Sequence, residues 1–189
     1  MKQFRSFIML SIAGLFCNLS FGQDKMAAGD PVTVGGAPMY SSKNIIENAM
    51  NSKDHTTLVG AVKAAGLVET LEGAGPFTVF APTNKAFDML PKGTIDNLLK
   101  PENKATLTKI LSYHVVAGNW DSKALAEKIK AGNGTVELPT VSGGKLWASM
   151  KGNKIVLKDE MGGGATVTIK DVYQSNGVIH VIDHVVMPK

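Results

Sequence analysis

Chemistry in this chain would have to come from four histidines, His55, His114, His180 and His184, and from the carboxylate of Asp183 beside the last of them. His180 and His184 are four apart in the run Gly177-Val178-Ile179-His180-Val181-Ile182-Asp183-His184-Val185-Val186, which is nearly all apolar or β-branched and reads as a central strand, bent near Asp183. Within a strand the two rings share a face about 13 Å apart. One Zn²⁺ could reach both only across a sharp bend, and no neighbouring Cys, His or Glu completes four ligands. The pattern is not His-Glu-x-x-His on a helix either. His180 therefore reads as a buried residue hydrogen-bonded to a backbone or hydroxyl partner. Asp183 and His184 would form an acid–base pair only if they pointed the same way, and adjacent strand residues do not. His114 follows Tyr113 where a helix gives way to a strand, and Leu111, Val115 and Val116 around it imply burial.

Other catalytic patterns are missing. No Gly-x-Ser-x-Gly elbow is present. Gly73-Ala74-Gly75 is not followed by the Gly-Lys-Ser/Thr of a phosphate loop. Neither a cofactor nor a metal is expected, and the chain reads as a non-enzyme. Asn133-Gly134-Thr135 has the form of a glycosylation acceptor, a three-residue pattern of low specificity. Trp147 lies on the outward face of its hairpin, where it could stack on a sugar or meet a partner, or simply cover the edge of the core.

The elements that position these residues change character along the chain. Asn44 to Met50 and Thr56 to Ala65 carry apolar residues at helical spacing, with Gly66 as a stop. Gly75-Pro76 is turn chemistry, and Phe77 to Phe80 suits a buried strand that Pro82 must end. Thr83 or Asn84 can cap the next helix, which turns Ala86, Phe87 and Leu90 inward. Thr94 can cap Ile95 to Leu99, Pro101 opens a longer helix with Leu107, Ile110 and Leu111, and Asp121 or Ser122 caps another. From Gly132 the period becomes alternating: strands at Thr135 to Leu138, Leu146 to Met150, and beyond the Lys151-Gly152-Asn153 turn. Helices first and strands afterwards indicate α+β.

Composition sets bounds. The 189 residues are 44% hydrophobic and 19% charged, enough for one domain with a real core. Residues 1–22 read as a secretory signal peptide: a basic start at Lys2 and Arg5, an apolar stretch from Phe7 to Phe16, and small residues before Gln23. The only cysteine, Cys17, lies inside it after bulky Phe16, which disfavours a lipid anchor. The mature chain is thus free of disulfides, with no span to hold it in a membrane. Losing Lys2 and Arg5 takes the basic groups from 20 to 18, all lysine, against 16 acidic ones. Without the planar fork of arginine, specific nucleic-acid recognition is disfavoured, while weak attraction to acidic polymers is retained. Residues 23–42, rich in Gly, Pro, Ser and Ala, read as a flexible linker. The domain proper is 43–189.

Several separated pieces resemble the fasciclin domain family. Phe77-Thr78-Val79-Phe80-Ala81-Pro82-Thr83-Asn84-Lys85-Ala86-Phe87 is similar to its first signature, Tyr113-His114 to its central Tyr-His element, and Asn176 to Asp183 to its second signature. Three ordered motifs spread over roughly Lys43 to Met187 are far more specific than any one alone. The resemblance implies an α+β fold, a twisted β-sandwich or wedge flanked by helices. It also implies a secreted or surface-attached protein, extracellular or periplasmic, that serves in adhesion or matrix assembly by binding a cell-surface or matrix protein or an acidic glycan. In animal members the Tyr-His region is implicated in integrin binding. Here Tyr113 and His114, like Phe77, Val79, Phe87, His180 and Asp183, read as structural. The alternative is a secreted small-ligand or polysaccharide-binding protein with weak hydrolytic activity, which needs a concave pocket near Trp147, Asp183 or His184.

Overall fold

The computed structural model describes residues 31–189; the expected signal peptide at 1–22, Cys17 and residues 23–30 lie outside them. A hairpin, β1 (Val32–Val34) and β2 (Ala37–Met39), leads into α1 (Ile45–Ala49), α2 (Thr56–Ala65) and α3 (Val68–Glu72). Asn44 and Glu47 form a capping box at α1, each side chain accepting the other's backbone N–H at 2.8 Å. β3 (Phe77–Pro82) ends where proline offers no N–H, and Thr83 Oγ1 caps α4 (Asn84–Asp88) by accepting from the Ala86 N–H at 3.3 Å. Asn84 joins two helices instead: its Oδ1 accepts from the Thr57 N–H and its Nδ2 donates to the Lys53 carbonyl. After α5 (Thr94–Leu98), α6 (Lys104–Tyr113) runs into β4 (Val115–Ala117). α7 (Ser122–Ala131), capped by Asp121, then precedes β5 (Thr135–Pro139), β6 (Lys145–Lys151), β7 (Lys154–Lys158), β8 (Gly164–Gln174) and β9 (Gly177–Ile182).

Seven strands form one sheet in the order β4-β3-β9-β8-β7-β6-β5, with β3 and β9 parallel and the other pairs antiparallel. The sheet curls until its edges meet. Val116 of β4 bridges Thr140, just past β5, and the Val141 N–H donates to the Val115 carbonyl at 2.8 Å. The α+β expectation is met, with the twisted sandwich or wedge realised as a sheet nearly closed on itself.

This closure makes two cores with β3 and β9 between them. Val79, Ala81, Ile179 and Val181 face the helices, packing with Leu58, Val62, Leu111 and Phe87. Phe80 and Ile182 face the interior of the curled sheet, among Leu125, Leu138, Leu146 and Leu157. Phe80 is fully buried, a contribution of about 2–3 kcal/mol relative to an exposed ring. Where the parallel pair begins, the backbones approach so closely that a Cβ on Gly177 would lie 2.0 Å from the Phe77 carbonyl oxygen, and one on Gly75 2.0 Å from that of Asn176. Only glycine fits at either position.

Some expectations fail for identifiable reasons. The stretch expected to be a flexible linker over 23–42 is, in its described part, the β1–β2 hairpin. Its Gly and Pro content conceals Val34 and Met39, which enter the helical core, while Asn48 Oδ1 accepts from the Tyr40 N–H and Asn48 Nδ2 donates to the Tyr40 carbonyl. Gly93, at φ 83°, takes the cap position expected of Thr94. The last strand stops at Ile182 rather than running to Val186. Met150 continues the phase of Leu146 and Ala148 but is exposed, because β5 begins at Thr135 opposite Ser149 and leaves Met150 a strand neighbour on one side alone, Ile155 of β7.

Candidate functional site

Tyr113 and His114 close α6 and are almost completely buried. The Tyr113 hydroxyl donates to the Lys145 carbonyl and accepts from the Glu160 N–H at 3.2 Å, tying α6 to β6 and to the β7–β8 loop. Burial pushes its pKa up to about 12. His114 Nδ1–H donates to the Ile110 carbonyl at 2.9 Å, and its Nε2 accepts from the Val186 N–H at 3.2 Å. Burial outweighs the Ile110 hydrogen bond and the Asp159 charge and brings its pKa down to about 4, so the ring is neutral. Both side chains spend their polar atoms on the backbone and present no surface to a partner.

His180 is the centre of a polar knot. It stacks on Phe80 with centroids 5.6 Å apart, its Nε2–H donates to the Trp120 carbonyl at 2.7 Å, and its Nδ1 accepts from the Asp171 N–H at 3.3 Å. The expected buried, bonded histidine is therefore present. Asp171 sits at a bulge of β8 with φ 59°, where its carboxylate accepts from the Ser122 N–H at 2.6 Å and from the Ser122 hydroxyl. Beside it, the Tyr173 hydroxyl donates to Asp121 Oδ2 at 3.2 Å, and burial followed by the charges of Asp121 and Asp171 raises the phenol to about 12. Ser122, Asp171 and His180 resemble a hydrolase triad in composition only. The hydroxyl donates to the carboxylate and the ring Nε2–H to a carbonyl, so no base is placed to take the serine proton. Sequence reasoning missed Ser122 and Asp171, which are 49 residues apart and joined only by the bulge.

Asp183 and His184 pair after all. The strand has ended, and in the bend that follows His184 Nδ1 lies 2.8 Å from Asp183 Oδ1, which also accepts from the Thr166 N–H at 2.7 Å. Burial raises the carboxyl, but these hydrogen bonds outweigh it and hold its pKa below the usual range. The Thr166 side chain bonds the same carboxylate, so Asp183 is engaged by His184 and by both the backbone and the side chain of Thr166. Among the described residues no group of three His, Cys, Asp or Glu could hold a metal ion, and no helix is long and apolar enough to cross a membrane.

Open concave surface lies elsewhere, on the outer face of β5–β6–β7. Trp147 points away from the core, opposite the fully buried Leu146 and Ala148. It stands in a row with Glu137 of β5 and Lys158 of β7. On one side is a depression of about 430 Å³ bounded by Trp147, Lys158, Asp159, Glu160, Gly162 and Lys189. Another, of about 320 Å³, is bounded by Trp147, Lys158, Thr135 and Ser149. An aromatic face flanked by lysine, carboxylate and hydroxyl groups is suited to binding a polar, ring-containing ligand.

Comparison with known proteins agrees with the three motifs. Residues 53–188 match the sequence profile of the Fasciclin domain. The chain is 47% identical over 155 residues to Protein sll1483 of Synechocystis sp., covering 82% of this chain and 79% of that protein. It is 35% identical over 173 residues to the cell surface glycolipoprotein MPB83 of Mycobacterium bovis, covering 88% and 70% of the two chains. The match to the transforming growth factor-beta-induced protein ig-h3 of Sus scrofa, 39% identical over 131 residues, covers 69% of this chain and only 17% of that one. Among solved structures, a FAS1 domain pair from the insect cell adhesion molecule Fasciclin I superposes with a TM-score of 0.66 at 19% identity, over 75% of this chain and half of that one. A cell surface glycolipoprotein is thus found among its relatives. On the profile, the relatives and the fold together, the chain belongs to the fasciclin domain family.

Proposed function

We propose that this protein is an exported, non-enzymatic interaction module that binds a cell-surface or matrix partner through the outer face of β5–β6–β7. One observation carries the reading: Trp147 is half-buried between two open depressions lined by charged and hydroxyl groups, whereas Tyr113, His114 and His180 are buried and spent on backbone partners. Relatives described as cell-surface or cell-adhesion proteins support the functional class. The larger depression balances Lys158 and Lys189 against Asp159 and Glu160, whereas the smaller has Lys158 as its one charged group beside the hydroxyls of Thr135 and Ser149, so the smaller is the one suited to an acidic group of a glycan or protein segment. Binding should weaken with salt, because these charges are exposed.

The experiment is an array of surface glycans and matrix proteins probed with the purified protein, with hits titrated by tryptophan fluorescence. Trp147→Ala should weaken a genuine hit about 30-fold or more, as loss of a central aromatic anchor does, while leaving the far-ultraviolet spectrum unchanged. Equal binding by wild type and variant would remove Trp147 from the interface. No binding to any surface component would remove the adhesive reading itself.

A further inference from the structure

A second cavity lies inside the molecule, away from the Trp147 face, between the helices and the inner strands. Ile45, Leu58, Val62 and Leu71 of the helices close over Val79 and Ile179 of the sheet. It leaves about 40 Å³ for the centre of a water-sized sphere, several times the roughly 10–15 Å³ that one water needs. Half-exposed Val59 and Val68, with exposed Lys63, stand at its margin and mark the side open toward solvent between α2 and α3.

The lining is apolar apart from Lys63 at the margin and two histidines. Both ring nitrogens of His114 are already engaged. His55 differs: it is 1% exposed, its Nδ1 lies 2.9 Å from Ser52 Oγ, and its Nε2 has no partner among the described residues. Ser52 is buried and makes no other side-chain hydrogen bond among the described residues, so its O–H donates to Nδ1 and the ring proton sits on Nε2. The Ala81 carbonyl is near enough to favour the protonated ring but accepts no hydrogen bond from it. An N–H donor is thus left without an acceptor at the wall of an apolar cavity. Water fits poorly there, since a buried water makes about three hydrogen bonds and this wall supplies one unpaired group. A small apolar molecule with one acceptor oxygen satisfies both features.

We propose that this cavity is a binding site for a small, largely apolar carbonyl compound or alcohol, held by apolar contact with its lining and by one hydrogen bond from His55 Nε2–H. The site is independent of the Trp147 face, so the failure of either leaves the other standing.

The test titrates the ¹³C,¹⁵N-labelled protein with cyclopentanone up to about 50 mM, ample for a millimolar Kd, and, separately, with cyclopentane up to its much lower solubility in water. Cyclopentanone should shift the His55 ring nitrogens and the methyl groups of Leu58, Val62 and Ile179, and should bind about 10-fold or more tightly than cyclopentane. Val62→Phe, which fills the space, should abolish the response. Because that variant could fail to fold, the wild-type titration decides. No shift at His55, equal binding of the two probes, or perturbations confined to the Trp147 face would each overturn the proposal.

Discussion

Lowering the pH from 8 to 5 should cost this fold about 2 kcal/mol through His114 alone. The ring has a folded-state pKa of about 4 against 6.5 in the open chain. Between those values the unfolded chain binds more protons than the folded one, so stability rises with pH across the window. The contribution is therefore complete above 6.5, is lost as the pH falls, and saturates near 4 at roughly 3 kcal/mol in all. His55 and His180 are lowered by burial in the same direction and deepen the loss. Glu160 and Asp183, held below their ordinary values, act elsewhere: their contribution is present above the unfolded carboxylate range and fades only below it. The assay is urea denaturation at several pH values, read as free energy by linear extrapolation. For a domain of this size, 2 kcal/mol corresponds to a fall in Tm of about 4–8 °C. His114→Phe should reduce the slope by the same 2 kcal/mol while lowering stability at pH 8, because the Val186 N–H loses its acceptor. A flat free energy between pH 8 and 5, or a His114 resonance titrating above pH 6, would refute the reasoning.

His180→Ala should destabilise by about 2–4 kcal/mol, since it removes a buried ring stacked on Phe80 and orphans both the Trp120 carbonyl and the Asp171 N–H; an unchanged urea midpoint would show that the knot is not structural. Gly177→Ala should leave little folded protein, because the new methyl would fall within 2.0 Å of the Phe77 carbonyl oxygen; a native-like circular dichroism spectrum and melt would contradict that. Tyr113→Phe should cost about 1–3 kcal/mol by unpairing the Lys145 carbonyl and the Glu160 N–H, measured as a fall in denaturation midpoint with no change in its slope.

Local rules carried the sequence reading wherever neighbouring residues decided the outcome. Pro82 ends β3, Thr83 and Asp121 cap their helices, Gly66 stops α2, and the turn before Lys154 joins β6 to β7, all as their residue types require. The failures are places where distant chain decides. Nothing near Val34 and Met39 reveals that they reach the helical core, because Asn48, which pins the hairpin, comes from α1. Asp171 could be recognised as a node only with the register shift of β8 in view, since the shift aims its carboxylate at Ser122 and its N–H at His180. Asp183 and His184 pair because β9 releases the chain at Ile182, a boundary that the β-branched run to Val186 obscures. Of the candidate contact residues, Trp147 could be placed outward by alternation alone; the larger depression beside it depends on the β7–β8 loop and on Lys189.

The family signatures and the proposed contact surface are separate sets of residues, for a physical reason. Phe77 to Pro82 must serve two cores at once, Phe80 inside the curled sheet and Val79 and Ala81 against the helices, so their side chains are committed on both faces. His180 and Tyr113 are committed in the same way, through the Trp120 and Lys145 carbonyls. A residue held from two sides cannot also adapt to a partner. The outer face of β5–β6–β7 is under no such constraint, because only one side of those strands is packed: Leu146 and Ala148 point inward, and Trp147 between them is open to change. Substitutions in the signatures should therefore act on stability and leave any retained binding unaltered per folded molecule. Substitutions around Trp147 should do the reverse, and measuring both quantities on His180→Ala and Trp147→Ala separates them, since no partner of His180 lines either depression. If His180→Ala weakened binding per folded molecule, the division between scaffold and contact surface would be wrong.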